Sequence, residues 1–210
     1  MSRLAAPRRA ERRGSWRDAS FLSLDFETTG LDLVADRIVS FGAVPVTRGA
    51  VELGAAVHRL VDPGDRAPSR VSVTVHGIRP SELEGQMSGA DAADELSRLL
   101  ERRFLLAWYA DVEIAFLRKM FGRRPRWDHR TVDVRDLYLD QAGEGADRTS
   151  LSDAAAACGV PVADPHQALD DALVTAQLFL VLAARRGRAA GRVPTVAELL
   201  RDAPVPAPAR

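Results

Sequence analysis

The sequence predicts a single α/β domain in which a mixed, five-stranded sheet is flanked by helices. Strand-like apolar runs joined by turns occupy the first third of the chain, and from residue 90 onward strand and helix patterns alternate. The chain has 210 residues, 46% of them hydrophobic and 28% charged, which is enough for one good core. We expect a basic, flexible N-terminal arm over residues 1–18, the domain over 19–187, and a C-terminal extension over 188–210.

Five segments are expected to form strands because apolar and β-branched residues cluster there between turn residues. The second and third of these strands are joined by a tight turn at 48–50. Pro45 lies inside the second strand and has no N–H for a ladder bond, so regular pairing should end or bulge there. The predicted strands start at the apolar run 21–24 and continue with 37–47, 51–61, 103–109 and 131–134.

Helical periodicity predicts four helices, at 90–102, 112–121, 151–158 and 167–185. In the first of them, Leu96, Leu99 and Leu100 form the stripe expected to be buried. The C-terminal extension is expected to hold a short capping helix at 195–201, followed by a Pro/Ala tail with little reason to fold.

The charge balance excludes one class of function. The formal net charge is zero, which argues against tight, indiscriminate binding to long nucleic acid. Arginine is nevertheless concentrated locally, and each cluster fits either a solvated surface or contact with phosphates. The clusters are a basic leader (Arg3, Arg8, Arg9, Arg12, Arg13, Arg17) and a second group (Arg118, Lys119, Arg123, Arg124, Arg126).

Cysteine content and hydropathy suggest a cytoplasmic protein. Cys158 is the single cysteine, so no disulfide within the chain is possible, and its helical surroundings indicate packing rather than reactivity. The N-terminus lacks an apolar signal region, and no apolar run approaches the length of a membrane span.

Two acidic residues, Asp25 and Glu27, follow the apolar run 21–24. Strand side chains alternate between faces, so the two carboxylates point the same way. They repel each other and resist desolvation, and a divalent cation such as Mg²⁺ or Mn²⁺ resolves that conflict. The turn at 28–30 lets backbone approach a ligand closely. Taken alone, the pattern also fits an acidic strand end that runs into a turn.

A second polar group, His166 and Asp171, lies at the start of the last predicted helix. His166 should sit at or just before the helix start, where it can reach solvent and substrate. Asp171 is about one turn further and can face the strand that carries Asp25 and Glu27. The alternative is that His166 and Asp171 merely occupy a helix N-terminus, where acids interact well with the helix dipole.

Together the two motifs, Asp25-Phe26-Glu27-Thr28-Thr29-Gly30 and His166-x-Ala-x-x-Asp171-Ala172, resemble the first and third exonuclease motifs of the DEDDh 3′→5′ exonucleases. This family includes the proofreading (epsilon) subunit of bacterial DNA polymerase III. The resemblance runs from about residue 20 to 185, with lesser matches at Val75-His76-Gly77-Ile78 and Thr131-Val132-Asp133-Val134-Arg135-Asp136-Leu137. It implies a ribonuclease-H-like exonuclease fold, whose three-strand meander followed by αβα units agrees with the predicted elements.

The second exonuclease motif departs from the family pattern. The family shows His-Asn-Ala-x-Phe-Asp and then Phe-Leu, whereas this chain has Trp108-Tyr109-Ala110-Asp111-Val112-Glu113-Ile114-Ala115-Phe116-Leu117. The flanking Ala110 and Phe116-Leu117 place Glu113 where the family has aspartate. Glutamate keeps the charge and adds a methylene, about 1.5 Å of reach. Asp111 is the rival candidate, two residues earlier, and a purely structural role for Glu113 is the other alternative.

The resemblance also implies residue roles. Two divalent ions would be held by Asp25, Glu27, Glu113 and Asp171, and His166 would be the general base. The 3′ end would lie against Thr28, Thr29, Gly30 and Leu31, with His76 lining the pocket of the terminal nucleotide. From the residues alone, His76 fits a turn or core histidine equally well.

The predicted activity is release of 5′-mononucleotides from single-stranded or frayed DNA 3′ ends, with a polymerase or repair protein as a possible partner and no membrane involvement. Two alternatives stay open. One is an RNA-trimming, oligoribonuclease-like exonuclease, because no residue here identifies 2′-OH recognition. The other is a non-catalytic nucleic-acid-binding module, which the departures at Glu113 and Trp108-Tyr109 motivate.

Overall fold

The protein forms a mixed sheet with helices on both faces. The computed structural model describes residues 4–122, 126–142, 146–162 and 165–200. The strands are β1 (Ser20–Thr28), β2 (Ile38–Thr47), β3 (Ala50–Val51), β4 (Val57–Asp62), β5 (Met87–Ser88), β6 (Phe104–Ala107) and β7 (Thr131–Asp133). The helices are α1 (Arg9–Arg13), α2 (Arg70–His76), α3 (Pro80–Leu83), α4 (Gly89–Leu100), α5 (Asp111–Phe121), α6 (Val134–Ala142), α7 (Leu151–Cys158) and α8 (Ala168–Ala190).

The sheet order is β5-β4-β2-β1-β6-β7, and β3 pairs with β2 outside this path. β1 is antiparallel to β2 and parallel to β6, and β6 is parallel to β7. The predicted α/β class with a mixed sheet is therefore confirmed. The described chain has seven strands instead of five, because the predicted strand 51–61 divides into β3 and β4 around a 3₁₀ turn at Leu53–Ala55, and because the two-residue β5 was not predicted.

Two apolar clusters fill the space on the two faces of the sheet. Odd-numbered β1 positions such as Phe21 pack with α8 and α6, whereas Leu22 and Leu24 pack with α4 and α5. In α4, Leu96 and Leu100 are fully buried as predicted, and Leu99 is only partly buried at the rim of the cluster. The sheet thus carries one helical layer on each face, as strand alternation requires.

Strand pairing at Pro45 differs between the two edges of β2. The antiparallel register with β1 continues through the Leu22–Pro45 pair without a shift. On the other side, pairing with β4 ends at Ala43, and β3 takes over from Val46. The missing N–H of proline therefore coincides with an interruption on one side only, because Pro45 lies in the gap between β4 and β3.

The N-terminal segment is more ordered than the sequence predicts. Trp16 is 3% exposed and lies edge-on to Phe179 of α8, with ring centroids 5.6 Å apart. Its backbone N–H donates to Pro194 O, and Ser15 forms an isolated antiparallel β-bridge with Thr195. Burial of this large ring favours one position for the segment around Trp16, while the flexible arm expected over residues 1–18 stays a prediction.

The remaining expectations are partly outside the described residues. The capping helix predicted at 195–201 is a 3₁₀ turn, Val196–Glu198, whereas the predicted Pro/Ala tail and residues 123 and 124 of the second basic cluster lie outside them. Among the helices of the described part, none is long and apolar enough to cross a membrane. The division into arm, domain and extension otherwise stays a prediction.

Candidate metal and catalytic site

The face of β1 that meets α8 changes from apolar to acidic along the strand. Phe21 and Ser23 are fully buried on this face, and Asp25 and Glu27 follow at the same alternation. β6 pairs with β1 only as far as Ser23, so the acidic end of β1 extends past its neighbour. The register with β2 shifts between Glu27 and Thr28, and such irregularities in pairing alter the direction of side chains beside a site.

The N-terminus of α8 lies directly on β2 opposite Asp25. Gly42 is the partner of Asp25 in the β1–β2 ladder, and a Cβ at Gly42 would meet Ala168 O at 2.1 Å and Leu169 Cα at 2.4 Å. Only glycine therefore allows this contact between strand and helix backbone. The contact places the first turn of α8, which carries Asp171, beside Asp25 and Glu27.

Asp25, Glu27 and Asp171 form a carboxylate cluster in which one oxygen from each lies within 4.8 Å of the others. The pKa of Asp25 is raised well above its usual value by burial and by the charges of Glu113, Glu27 and Asp171. Burial and the charge of Asp171 raise the pKa of Glu27 to about 8. These three acids are close together and partly buried, so their mutual repulsion disfavours ionisation of all three without a cation, and an all-oxygen donor set suits Mg²⁺ or Mn²⁺. The cluster could therefore hold a divalent metal ion.

His166 is tied to this cluster through Asp171. Its backbone N–H donates to Asp171 Oδ2 at 2.9 Å. Burial raises the pKa of Asp171, and this hydrogen bond acts in the opposite direction. His166 is exposed and has a φ of 64°, a conformation that is uncommon for residues other than glycine. The structure thus brings His166 to the edge of the cluster, at the residue before the helix N-cap, as the sequence predicts.

Glu113 approaches the cluster from α5. It is 4% exposed, and its Oε2 has no hydrogen-bond partner among the described residues. Burial, followed by the charges of Asp133, Asp111 and Glu27, raises the pKa of Glu113 to about 8, while its backbone hydrogen bond acts in the opposite direction. An orphaned buried carboxylate oxygen is costly, and a cation would satisfy it. Glu113 is not within the 4.8 Å grouping of Asp25, Glu27 and Asp171.

Asp133 determines where α5 begins. This buried residue ends β7 and accepts a hydrogen bond from the N–H of Ala110 at 2.9 Å. Its other oxygen accepts from Arg135 N at the start of α6. Phe116 of α5 also packs edge-on against Phe26 of β1, with 6.3 Å between the ring centroids. These contacts bring Glu113, rather than the exposed Asp111, into the interior near Asp25.

The loop after β1 is organised by Asp36, a residue that the sequence analysis missed. Asp36 is 4% exposed and accepts from Thr29 Oγ1 at 2.7 Å and from Arg66 Nε at 3.0 Å. A Cβ at Gly30 would meet its Oδ2 at 2.4 Å. Thr28 Oγ1 donates to Gly30 O, and Leu31 is 88% exposed. Of the four predicted 3′-end contacts in this loop, Leu31 is the one whose side chain is fully open.

His76 is part of the interior. It is 3% exposed, its Nδ1 accepts from Ile78 N at 3.0 Å, and its Nε2 lies 3.3 Å from Thr28 O. Burial lowers the pKa of His76, while the contact with Thr28 acts in the opposite direction. The two contacts assign the proton to Nε2. Both ring nitrogens are therefore engaged within the protein, so any effect of His76 on a terminal nucleotide stays a prediction and would act through the position of α2.

Neither Gly42 nor Asp36 was predicted from the sequence to have a role at this site. For Asp36, a single acid just before the predicted strand 37–47 was a weak signal. For Gly42, a glycine in the middle of a predicted apolar strand was a usable signal, because such a residue often marks close backbone approach.

The comparisons with known proteins agree with the geometry. The sequence profile described as "Exonuclease" (RNase_T) matches residues 22–179, so the chain belongs to the exonuclease family. It is similar to proteins named for DNA polymerase III. It is 28% identical over 194 residues to the DNA polymerase III epsilon subunit of Treponema pallidum, covering 87% of this chain and 88% of that one. The family resemblance inferred from the motifs is thus confirmed.

Two further relatives add detail. The chain is 35% identical over 170 residues to the PolC-type DNA polymerase III of Thermotoga petrophila, which is 79% of this chain but 12% of that protein. Exonuclease I of E. coli, solved with a dT13 oligonucleotide, superposes with a TM-score of 0.69 at 21% identity, over 82% of this chain and 43% of the other. That likeness supports the ribonuclease-H-like fold.

Proposed function

We propose that this protein is a 3′→5′ exonuclease that hydrolyses terminal phosphodiesters of single-stranded or frayed DNA with the help of two divalent ions, Mg²⁺ or Mn²⁺. The observation that carries the proposal is the convergence of Asp25, Glu27 and Asp171 within 4.8 Å, with His166 bonded to Asp171 through its backbone N–H. Such a group can hold divalent ions, which assist phosphodiester hydrolysis by stabilising the attacking and leaving oxygens.

Four acidic residues would hold the two ions. Asp25, at the centre of the group, would serve both ions, Glu27 and Asp171 would complete one site, and Glu113 would support the other through its unpartnered Oε2. Bound ions supply positive charge for the phosphoryl oxygens and for the leaving alkoxide.

The remaining residues bind and orient the strand end and handle the proton. His166 takes a proton from the attacking water, since an imidazole accepts protons near neutral pH and this one is exposed at the edge of the cluster. Thr28, Thr29 and the Gly30-Leu31 backbone would hold the terminal nucleotide, and Asp36 maintains the conformation of that loop.

Relatives suggest the biological setting. Two relatives are named DNA polymerase III subunit epsilon and DNA polymerase III PolC-type, which leads us to propose a polymerase partner and a cytoplasmic location. DNA is our first choice of substrate because a neighbour in fold was solved with a DNA oligonucleotide.

The test is release of nucleotides from 3′-labelled DNA and RNA oligonucleotides of equal sequence, with Mg²⁺ or Mn²⁺. We expect 5′-mononucleotides from DNA, loss of release in Asp25→Asn, and normal release in Asp94→Asn, an exposed acid on α4 that serves as the matched control. Release from RNA alone would favour the RNA-trimming enzyme. Equal background from wild type and Asp25→Asn, with oligonucleotide still bound, would mean a binding module.

A further inference from the structure

A cavity of ≈ 500 Å³ is lined by four arginines and a histidine. Among the described lining residues there is no carboxylate, so the positive charge of this cavity is not balanced at its own wall. These residues are Arg9, Arg12, Arg126, Arg130 and His129.

The cavity lies at the amino-terminal end of the parallel strands, away from the carboxylate cluster. Phe104, which lines it, opens β6 and pairs with Phe21. Asp25 is four residues further along β1, about 13 Å at roughly 3.3 Å per residue. The cavity and the candidate metal site therefore occupy different ends of the sheet.

Arg130 supplies a buried cation at this place. It is 2% exposed, and its Nη2 donates to the carbonyl oxygens of Leu100, at 2.6 Å, and Arg103. Its Nε and Nη1 have no hydrogen-bond partner among the described residues, and burial lowers the pKa of Arg130 to about 10. A buried charge is normally paired, so a nearby anion would remove an energetic cost that the protein otherwise carries.

The N-terminal segment contributes two of the other arginines. Arg9 and Arg12 are three residues apart on α1, a spacing that puts both side chains on one face. The segment is anchored because the N–H of Arg102 donates to Ala5 O at 2.9 Å. Basic residues that look like a flexible leader in the sequence thus form one wall of a cavity.

We propose that this cavity is a second ligand site, separate from the catalytic one, which binds the phosphate of a nucleotide. Arginine is the side chain best suited to phosphate, because its planar fork donates two parallel hydrogen bonds. The volume exceeds what one phosphate needs, and Phe104, Ala6 and Pro7 offer apolar wall for a sugar or base. The phosphate of a free mononucleotide and the phosphate of a nucleic acid strand would both accept these hydrogen bonds from arginine.

Calorimetric titration in EDTA tests the site without loading the candidate metal site. The probes are inorganic phosphate, dAMP and a short dT oligonucleotide. We expect dAMP or the oligonucleotide to bind, and Arg9→Gln/Arg12→Gln to weaken that binding about tenfold or more. Competition by inorganic phosphate with dAMP would identify a free nucleotide as the ligand, and binding of the oligonucleotide alone would identify a strand.

A matched variant makes the result specific. Arg98→Gln/Arg188→Gln removes the same charge from exposed positions outside the cavity and should bind the probes as wild type does. The proposal fails if no probe binds, if the Arg98/Arg188 variant weakens binding as much as the Arg9/Arg12 variant, or if the Arg9/Arg12 variant melts normally and binds normally. These outcomes do not depend on nuclease activity, so they are distinct from failure of the proposed function.

Discussion

The contact between Gly42 and the start of α8 allows a test of how the site is assembled. In Gly42→Ala the new Cβ would lie 2.1 Å from Ala168 O and 2.2 Å from Ala168 C. Both are backbone atoms, so no side chain can rotate away to make room. The strand is held on both sides by β1 and β4, and the first turn of α8 is therefore the part that must move.

The size of that movement follows from the contact. Ordinary van der Waals contact begins at 3.4 Å, so the helix start must retreat by about 1.3 Å, the difference between 3.4 Å and 2.1 Å. Asp171 and His166 would move with it, away from Asp25 and Glu27. Misplacement by about 1 Å costs on the order of 10²-fold in rate, whereas overpacking costs about 1–3 kcal/mol in the free energy of unfolding, so the variant should still fold.

The assay is nucleotide release from 3′-labelled DNA as a function of Mn²⁺ and Mg²⁺ concentration, with urea unfolding measured in parallel. We expect Gly42→Ala to lose about 10²-fold in rate and to need more metal for half-maximal activity. If Gly42 had a merely structural role, Gly42→Ala would lower the free energy of unfolding without changing the metal titration of the folded protein.

Two glycine variants are the controls. Gly187→Ala crowds the far end of the same helix, where a Cβ would lie 3.1 Å from Arg192 O, and Gly54→Ala meets nothing within 4 Å. Both should keep the wild-type metal dependence. Wild-type rate and metal dependence in Gly42→Ala would refute the reasoning, and so would an equal loss of rate in Gly187→Ala.

Four further predictions concern the charged residues. His166→Ala should lower the rate at saturating metal by about 10²–10⁴-fold without changing the melting temperature; unchanged turnover would remove His166 from the mechanism. Glu113→Asp should keep or improve activity, because the family has aspartate there, and inactivity of a folded variant would mean that the second-motif alignment is misplaced. Asp171→Asn should raise the Mg²⁺ concentration at half-maximal rate, with Asp170→Asn as control; normal activity at low Mg²⁺ would contradict a ligand role. Without metal, the free energy of unfolding should fall as pH rises from about 4.5 to 8. In this range a carboxyl whose pKa is raised to about 8 in the folded protein, as at Glu27, keeps its proton there, whereas the unfolded chain loses it. Added Mn²⁺ should therefore raise the melting temperature more at pH 8 than at pH 6, and equal shifts would argue against metal binding by these acids.

Much of the fold and part of the site follow from local sequence pattern. Alternation of side chains along a strand is a local rule, so Asp25 and Glu27 could be placed on one face before any tertiary contact was known. The helix that carries His166 and Asp171 follows likewise from apolar periodicity. The α/β class and the burial of leucines in α4 could be predicted from these two periodicities alone.

Other features depended on contacts between distant segments. The two-residue β3 and β5 are too short for a periodic signal, and Trp16 is buried only because α8 and residues 194–196 lie beside it. Glu113 is buried on α5, whose first residues are held by the hydrogen bond from Ala110 to Asp133, and its role in metal binding stays a prediction.

The sequence by itself determined which face of each element is apolar and which side chains can donate oxygen to a cation, because both depend on residue type and short spacing. Only the tertiary structure decided that Gly42 admits the backbone of α8, that Asp36 organises the loop after β1, and that the arginines of α1 meet Arg130 around one cavity. The physical reason is that packing between segments far apart in the chain depends on atomic fit, which no local pattern of hydrophobicity encodes.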